Sequence, residues 1–424
     1  MSLLRRIAAA AGAFLALASP AVGAAAQPSD TVRVEVTRDA GGWRADYAFA
    51  RDARAWVFAR SELTREGGKP WRPQAWTIET PGVRIERRGF HDVLVASKGM
   101  VPRKVRVRFR PFTEDLRAGY EPALVFSDGP VALFTSQFDV APLASAAMAE
   151  AIPFDFDASG IAGDPAFVTF RDPEGPVFYA GKRYPLLTLK ETPSYVLFGA
   201  AHPIETPDLS AILDPGLPAW IGTSLGSETP RLLAHYARQL GPRHGSRPMI
   251  MATWVGATKG RVSMGGSVLP GLVIMAFEGE RMLAPSAETH AYFQWFIAHE
   301  AAHFWLGQTV DYDRADHAWM MEGGADLLAV RAIAAIDPAY DPRPKLDEAI
   351  AQCGALARGK AVNRANERSE QEAYYACGAV FGLVAEAAAN RARPGTGFAG
   401  FWRRLIERNR ADGVVSQDDW LRAL

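Results

Sequence analysis

The chain has 424 residues, 48% of them hydrophobic, with 47 basic and 47 acidic side chains. That is enough apolar material for a large core and more than one domain, and the even charge gives no basic face for nucleic acid or for an anionic membrane. After residues 1–26, nothing approaches the ~18 uninterrupted apolar residues that a spanning helix needs.

The first element is a leader. Arg5 and Arg6 precede an apolar run from Ile7 to about Ala18, and Val22-Gly23-Ala24-Ala25-Ala26 supplies small residues before Gln27. These are the n-, h- and c-regions of a secretory signal peptide. Its removal takes two arginines and no acids, leaving a formal charge of −2. The leader predicts an exported protein, periplasmic or secreted, and the alanine- and arginine-rich style points to a bacterial periplasm.

From Thr31 to about Leu197 short stretches alternate apolar and polar residues, as in Val32–Val36, Val83–Glu86, Val105–Phe109 and Tyr195–Phe198. Turn clusters such as Asp172-Pro173-Glu174-Gly175 separate them. This pattern predicts an all-β, sandwich-like N-terminal domain over residues 27–215. The charge clusters at Arg51–Arg60 and Arg84–Arg88 fall on alternate strand positions and read as solvated faces. Beyond Asp214-Pro215-Gly216 helical patterning takes over, giving a mainly helical second domain over 216–424. Glu228–Gln239 is amphipathic, Met249–Trp254 and Leu272–Phe277 read as buried strands, and Pro285-Ser286 opens a helix that Gly307 can stop. The fold class is therefore α+β.

That helix carries the chemistry. His299-Glu300-Ala301-Ala302-His303 places its two imidazoles four residues apart, a rotation of about 400°, so both project from one face and can close on a single metal. Glu300 lies roughly 100° away around the helix, beside the metal and placed to take a proton from a metal-bound water. Eighteen residues separate His303 from Glu322, which would arrive from a following helix as the third ligand. Two imidazoles, a carboxylate and an open fourth position describe a catalytic zinc site with one Zn2+ per chain. His317, a lone loop histidine, stays outside the ligand set.

With these residues in view, His299 through Gly307 followed by Trp319-Met320-Met321-Glu322-Gly323 resembles the membrane alanyl aminopeptidase family of zinc metallopeptidases. Its pattern is H-E-x-x-H-x-W-F-G-N, then eighteen residues to the glutamate of W-L-N-E-G-F-A. The resemblance is clear from about Leu217 to Phe381. It implies a thermolysin-like catalytic domain, peptide or protein substrates, and an intermediate-stabilising tyrosine, for which Tyr375-Ala376-Cys377-Gly378 matches the family's Y-x-K-G. Asp326, four residues after Glu322, resembles the aspartate that supports a zinc histidine from behind in thermolysin-like sites. Gln308 and Cys377 replace the family's Asn and Lys.

One departure bears on specificity. The family's G-x-M-E-N strand, whose glutamate holds the substrate's free amine, corresponds to Val262–Pro270, which contains no acid. Glu278 and Glu280 follow nearby and read as turn carboxylates. The expected activity is thus a zinc-dependent peptidase that is not a strict aminopeptidase. Two competing readings are a binding or assembly module on a peptidase scaffold and a zinc hydrolase of an ester or epoxide; Glu300 and Tyr375, which a pure scaffold does not need, favour an enzyme. Cys353 and Cys377 are the only cysteines, and an even count in an exported protein predicts that they pair.

Overall fold

A computed structural model describes residues 31–424 apart from 40, 41, 118, 157, 158, 162–165, 208, 246 and 369. The leader read at residues 1–26 lies outside the described residues. Among these residues no helix is long and apolar enough to cross a membrane.

The N-terminal half is built from three sheets. In the largest, Val32–Asp39 lies between Ala166–Arg171, to which it is parallel, and Gly42–Phe49, to which it is antiparallel. The second sheet centres on Ala55–Phe58 and His91–Ala96, and the third on Tyr195–Phe198 and Val131–Phe134. Side chains alternate between core and solvent along Gly42–Phe49, as expected when one face of an antiparallel sheet is buried. All three sheets contribute to one core, which includes Val34, Tyr47, Trp56, Phe109, Phe170 and Phe198. The four residues of α1 (Arg72–Ala75) insert a charge into it. Arg72 is fully buried, binds Asp92 at 3.0 Å and the carbonyls of Arg60 and Gln137, and stacks 4.0 Å from the Phe58 ring centroid. A buried guanidinium persists only with such pairing. The outer arginines Arg84 and Arg88 pair with Glu86 on the surface.

The next sheet runs in the order Ile204–Glu205, Ser210–Leu213, Met249–Gly256, Leu272–Glu278, Ser263–Leu269. It is continuous across residue 216, because Ser210–Leu213 pairs in parallel with Met249–Ala252. Asp214, at the bend, is buried and accepts hydrogen bonds from the backbone amides of Ser127, Gly216 and Trp254 and from the Ser127 hydroxyl. Ile212, Met251 and Ile274 from this sheet pack with Phe134, Tyr195 and Leu197 from the preceding one, sealing the junction with apolar surface.

Helices cover the other face. They are α2 (Ala219–Leu240), α3 (Ala287–Ala302), α4 (Trp319–Ile336), α5 (Arg343–Ala357), α6 (Glu372–Ala392), α7 (Gly397–Asn409) and α8 (Gln417–Ala423). The expected helix at Glu228–Gln239 is the second half of α2, which begins nine residues earlier and keeps Pro230 in its interior. Pro230 can be accommodated there because tertiary packing along Ile221, Leu225, Leu232, Leu233 and Tyr236 outweighs its local cost. The helical part is interrupted by a two-stranded ribbon, Asp311–Tyr312 with Val414–Val415, which ties the loop after α3 to the C-terminal region.

Candidate metal centre

α3 starts where its sequence signals a start. The Ser286 hydroxyl accepts the Thr289 amide at 3.0 Å, a standard helix N-cap. Its last turn is buried throughout, and neighbouring elements hold it in place. The Tyr236 hydroxyl of α2 donates to the Ala298 carbonyl at 2.9 Å, and the Trp305 indole donates to the Gly241 carbonyl at 2.8 Å.

At this end of α3 the Nε2 atoms of His299 and His303 face each other at 3.0 Å. The Glu322 carboxylate from the first turn of α4 lies 3.5 Å from each. The other ring nitrogens are committed. His299 Nδ1 donates to Asp326 at 2.8 Å, and His303 Nδ1 donates to the Leu306 carbonyl at 2.9 Å. With both protons on Nδ1, two Nε2 lone pairs and a carboxylate converge on one point, a donor set that a tetrahedral cation such as zinc fits. Burial works against charge on His299, yet the hydrogen bonds and charges of Asp326 and Glu322 push its pKa well above the usual value. Burial likewise opposes the Glu322 charge, but the two histidines hold its pKa well below the carboxylate range. The surroundings thus favour positive charge where the three donors meet.

Glu300 lines the same cavity as the two histidines and meets the edge strand Ser263–Leu269 at Gly266. A Cβ added there would sit 2.7 Å from the Glu300 carboxyl carbon and 2.9 Å from the Phe296 ring. Burial, its largest influence, raises the Glu300 pKa, which suits a proton acceptor that must later release the proton.

Tyr375 approaches from α6, its ring stacked 5.9 Å from that of His299. Burial of the hydroxyl and the nearby charges of Glu322, Glu300 and Asp326 raise its pKa, so it remains an O–H donor. Its approach depends on a crossing of α4 and α6 at Gly323 and Gly378, where a Cβ on either glycine would run into the backbone of the opposite helix. Cys377, two residues after Tyr375, is bonded to Cys353 and so joins α6 to α5. His317 pairs with Asp313 at 2.7 Å, apart from the ligand cluster.

These groups open into a cavity of about 320 Å³. In solved structures the same architecture recurs. An aminopeptidase N family protein from Idiomarina loihiensis superposes with a TM-score of 0.60 at 10% identity, over 92% of this chain and 72% of that one. The fold is that of the aminopeptidase N family. The native yeast LTA4 hydrolase follows with a TM-score of 0.50 at 13% identity, over 93% of this chain, which spans 64% of that enzyme's length. No sequence-family pattern matches the chain, and no characterised protein matches it in sequence, so the likeness is one of fold.

Within this aminopeptidase N fold, the edge strand borders the cavity and carries no acid. Glu278 is engaged elsewhere, 3.1 Å from Arg261 and hydrogen-bonded by Thr258, and Glu280 is in a short turn. Neither lines the cavity. The Gln308 side-chain oxygen accepts the Gly271 amide at 2.8 Å, pinning the turn that follows the edge strand. Cavity residues that went unnoticed in the sequence include Gly266, Tyr120, whose hydroxyl donates to the Val268 carbonyl at 2.8 Å, Asp311 and Tyr312. Only the paired glycines left a trace there.

Proposed function

We propose that this chain is an exported zinc-dependent peptidase, acting in the periplasm or outside the cell. The observation that carries the reading is the convergence of two Nδ1-anchored imidazoles and Glu322, with Glu300 and Tyr375 lining the same cavity. His299, His303 and Glu322 would hold one zinc ion, which when bound lowers the pKa of a water and polarises the scissile carbonyl. Glu300 takes the water's proton and passes it to the leaving amine. Tyr375 donates its hydroxyl proton in a hydrogen bond to the oxygen on which negative charge develops. Asp326 fixes the His299 ring and raises its basicity. The division at residue 215/216 remains part of this reading in its functional sense, since every proposed catalytic group follows it. Without an acid on the edge strand, no carboxylate is left unpaired there when a substrate lacks a free amine, so N-acylated peptides should be cut at least as well as free ones.

Digestion of an unbiased peptide library by the purified protein, read by mass spectrometry, tests this directly. The protein should contain about one zinc per chain, and His303→Ala or Glu322→Ala should abolish tight zinc binding. Glu300→Gln should keep the zinc and lose about 10²- to 10⁴-fold in turnover. Unchanged cleavage by Glu300→Gln would overturn its role, and absence of cleavage by the zinc-loaded wild type would overturn the peptidase reading.

A further inference from the structure

The cavity contains one carboxylate more than the proposed chemistry uses. Its described lining includes Glu300, Asp311 and Glu322 but no lysine or arginine. If Glu322 binds zinc and Glu300 handles the proton, Asp311 has no assigned task. It is also held in place. Its amide donates to the Gly413 carbonyl at 2.8 Å, and its carboxylate accepts the Tyr312 amide at 2.8 Å. The ribbon with Val414–Val415 therefore presents this acid from a fixed backbone. Among the described residues no lysine or arginine forms an ion pair with it, and the cation that acts on its carboxylate is the His303 imidazole. The lining is more polar than apolar; Tyr120, Tyr312 and Val268 share it with Asp311, whereas Leu306 and Met321 are buried in the wall. A fixed carboxylate that no lysine or arginine neutralises, in a cavity that also presents tyrosine faces, is complementary to a methylene stem ending in a cation.

We infer that Asp311 determines specificity by binding the ammonium or guanidinium end of a substrate lysine or arginine side chain close to the scissile bond. This rests on the peptidase reading and adds a substrate class to it, peptides with a basic residue at the cleavage site. Because Asp311 is exposed toward the cavity, the pair forms in partly solvated surroundings, so the preference should weaken with added salt.

The test uses Nα-acetylated peptides that differ only in lysine against norleucine, or arginine against citrulline, around the cleaved bond, with the zinc-loaded wild type and Asp311→Asn. The wild type should favour the cationic member by about ten- to a hundredfold in kcat/KM, and the ratio should fall close to one in Asp311→Asn. Calorimetric titration with Nα-acetyl-lysine amide against Nα-acetyl-norleucine amide reads the same discrimination without catalysis. Cleavage with no basic preference, or with a preference that survives Asp311→Asn, overturns the inference and leaves the peptidase reading intact. A preference for free over acetylated N-termini that disappears in Asp311→Asn would also overturn it, since the carboxylate would then take the terminal amine. If no peptide is cut, the peptidase reading fails, and the titration decides separately: equal affinity for the two amides overturns the carboxylate's role, and an Asp311-dependent difference upholds it.

Discussion

Substituting Gly266 probes whether Glu300 must stand where the structure puts it. The added methyl in Gly266→Ala would lie 2.7 Å from the Glu300 carboxyl carbon and 2.9 Å from Phe296 Cζ. Ordinary carbon contacts are about 3.5–4.0 Å, so something must retreat by about 1 Å. Phe296 is buried against Phe277, and the edge strand is hydrogen-bonded along its length to Leu272–Glu278. The carboxylate of Glu300 is the freest of the three and should move. A displacement of about 1 Å at a reacting group costs about 10²-fold in turnover, and the overpacking adds about 1–3 kcal/mol of destabilisation. Gly265→Ala is the control one residue away on the opposite face, where an added Cβ meets nothing within 4 Å and the backbone is not in the left-handed region. It should leave turnover within about twofold and stabilise by about 0.5 kcal/mol through the unfolded chain. The assay is cleavage of a fluorogenic peptide found in the library digest, with zinc content and thermal unfolding measured on the same samples. Turnover in Gly266→Ala within about threefold of wild type, at full zinc occupancy, would refute a precise Glu300 position as a requirement.

Asp326→Ala removes the acceptor of the His299 Nδ1 proton and should weaken zinc binding about 10- to 100-fold in a chelator competition, with the fold retained. Tyr375→Phe should cost about 10²- to 10³-fold in turnover without changing stability or zinc content, as the loss of an oxyanion donor does. Cys353→Ser opens the α5–α6 bond and should lower stability by about 3 kcal/mol in chemical denaturation, as the chain-entropy account of disulfides gives, and reduce turnover with zinc intact. Lost stability with full turnover would mean that the Gly323–Gly378 crossing alone positions Tyr375.

The proposed metal-binding cluster is legible in the sequence because it depends on spacing within single helices. His299 and His303 share a face of α3, and Glu322 and Asp326 share a face of α4, so only the meeting of the two helices remained to be supplied. The same local reasoning finds the strands, whose period of two survives in any tertiary setting. It misses Asp311, which is fixed in the cavity by pairing with residues a hundred positions later, and Tyr120, which arrives from the N-terminal sheets to bond the edge strand. It shortens α2, since Pro230 argues locally for a break that packing overrules. The interlocking of Gly323 with Gly378 also escapes it, because a small residue in a helix looks locally like a weakness and only the opposing backbone shows its purpose.

The sheet that runs across residue 216 has a consequence for how this protein could be cut or recombined. A fragment beginning at Gly216 would leave Met249–Gly256 without its parallel neighbour, baring a row of backbone amides and carbonyls beside Met251 and Ile274. Such an edge invites pairing with another chain, so the isolated C-terminal portion should aggregate although it holds every proposed zinc ligand. A fragment beginning before Ile204 would bring both missing strands but still expose the apolar surface that Phe134, Tyr195 and Leu197 now cover. Chimeras that exchange the N-terminal sheets for those of a structural relative should therefore be joined ahead of Ile204 and carry a matched apolar face at that seam, with Ser127 or an equivalent donor left in place for Asp214.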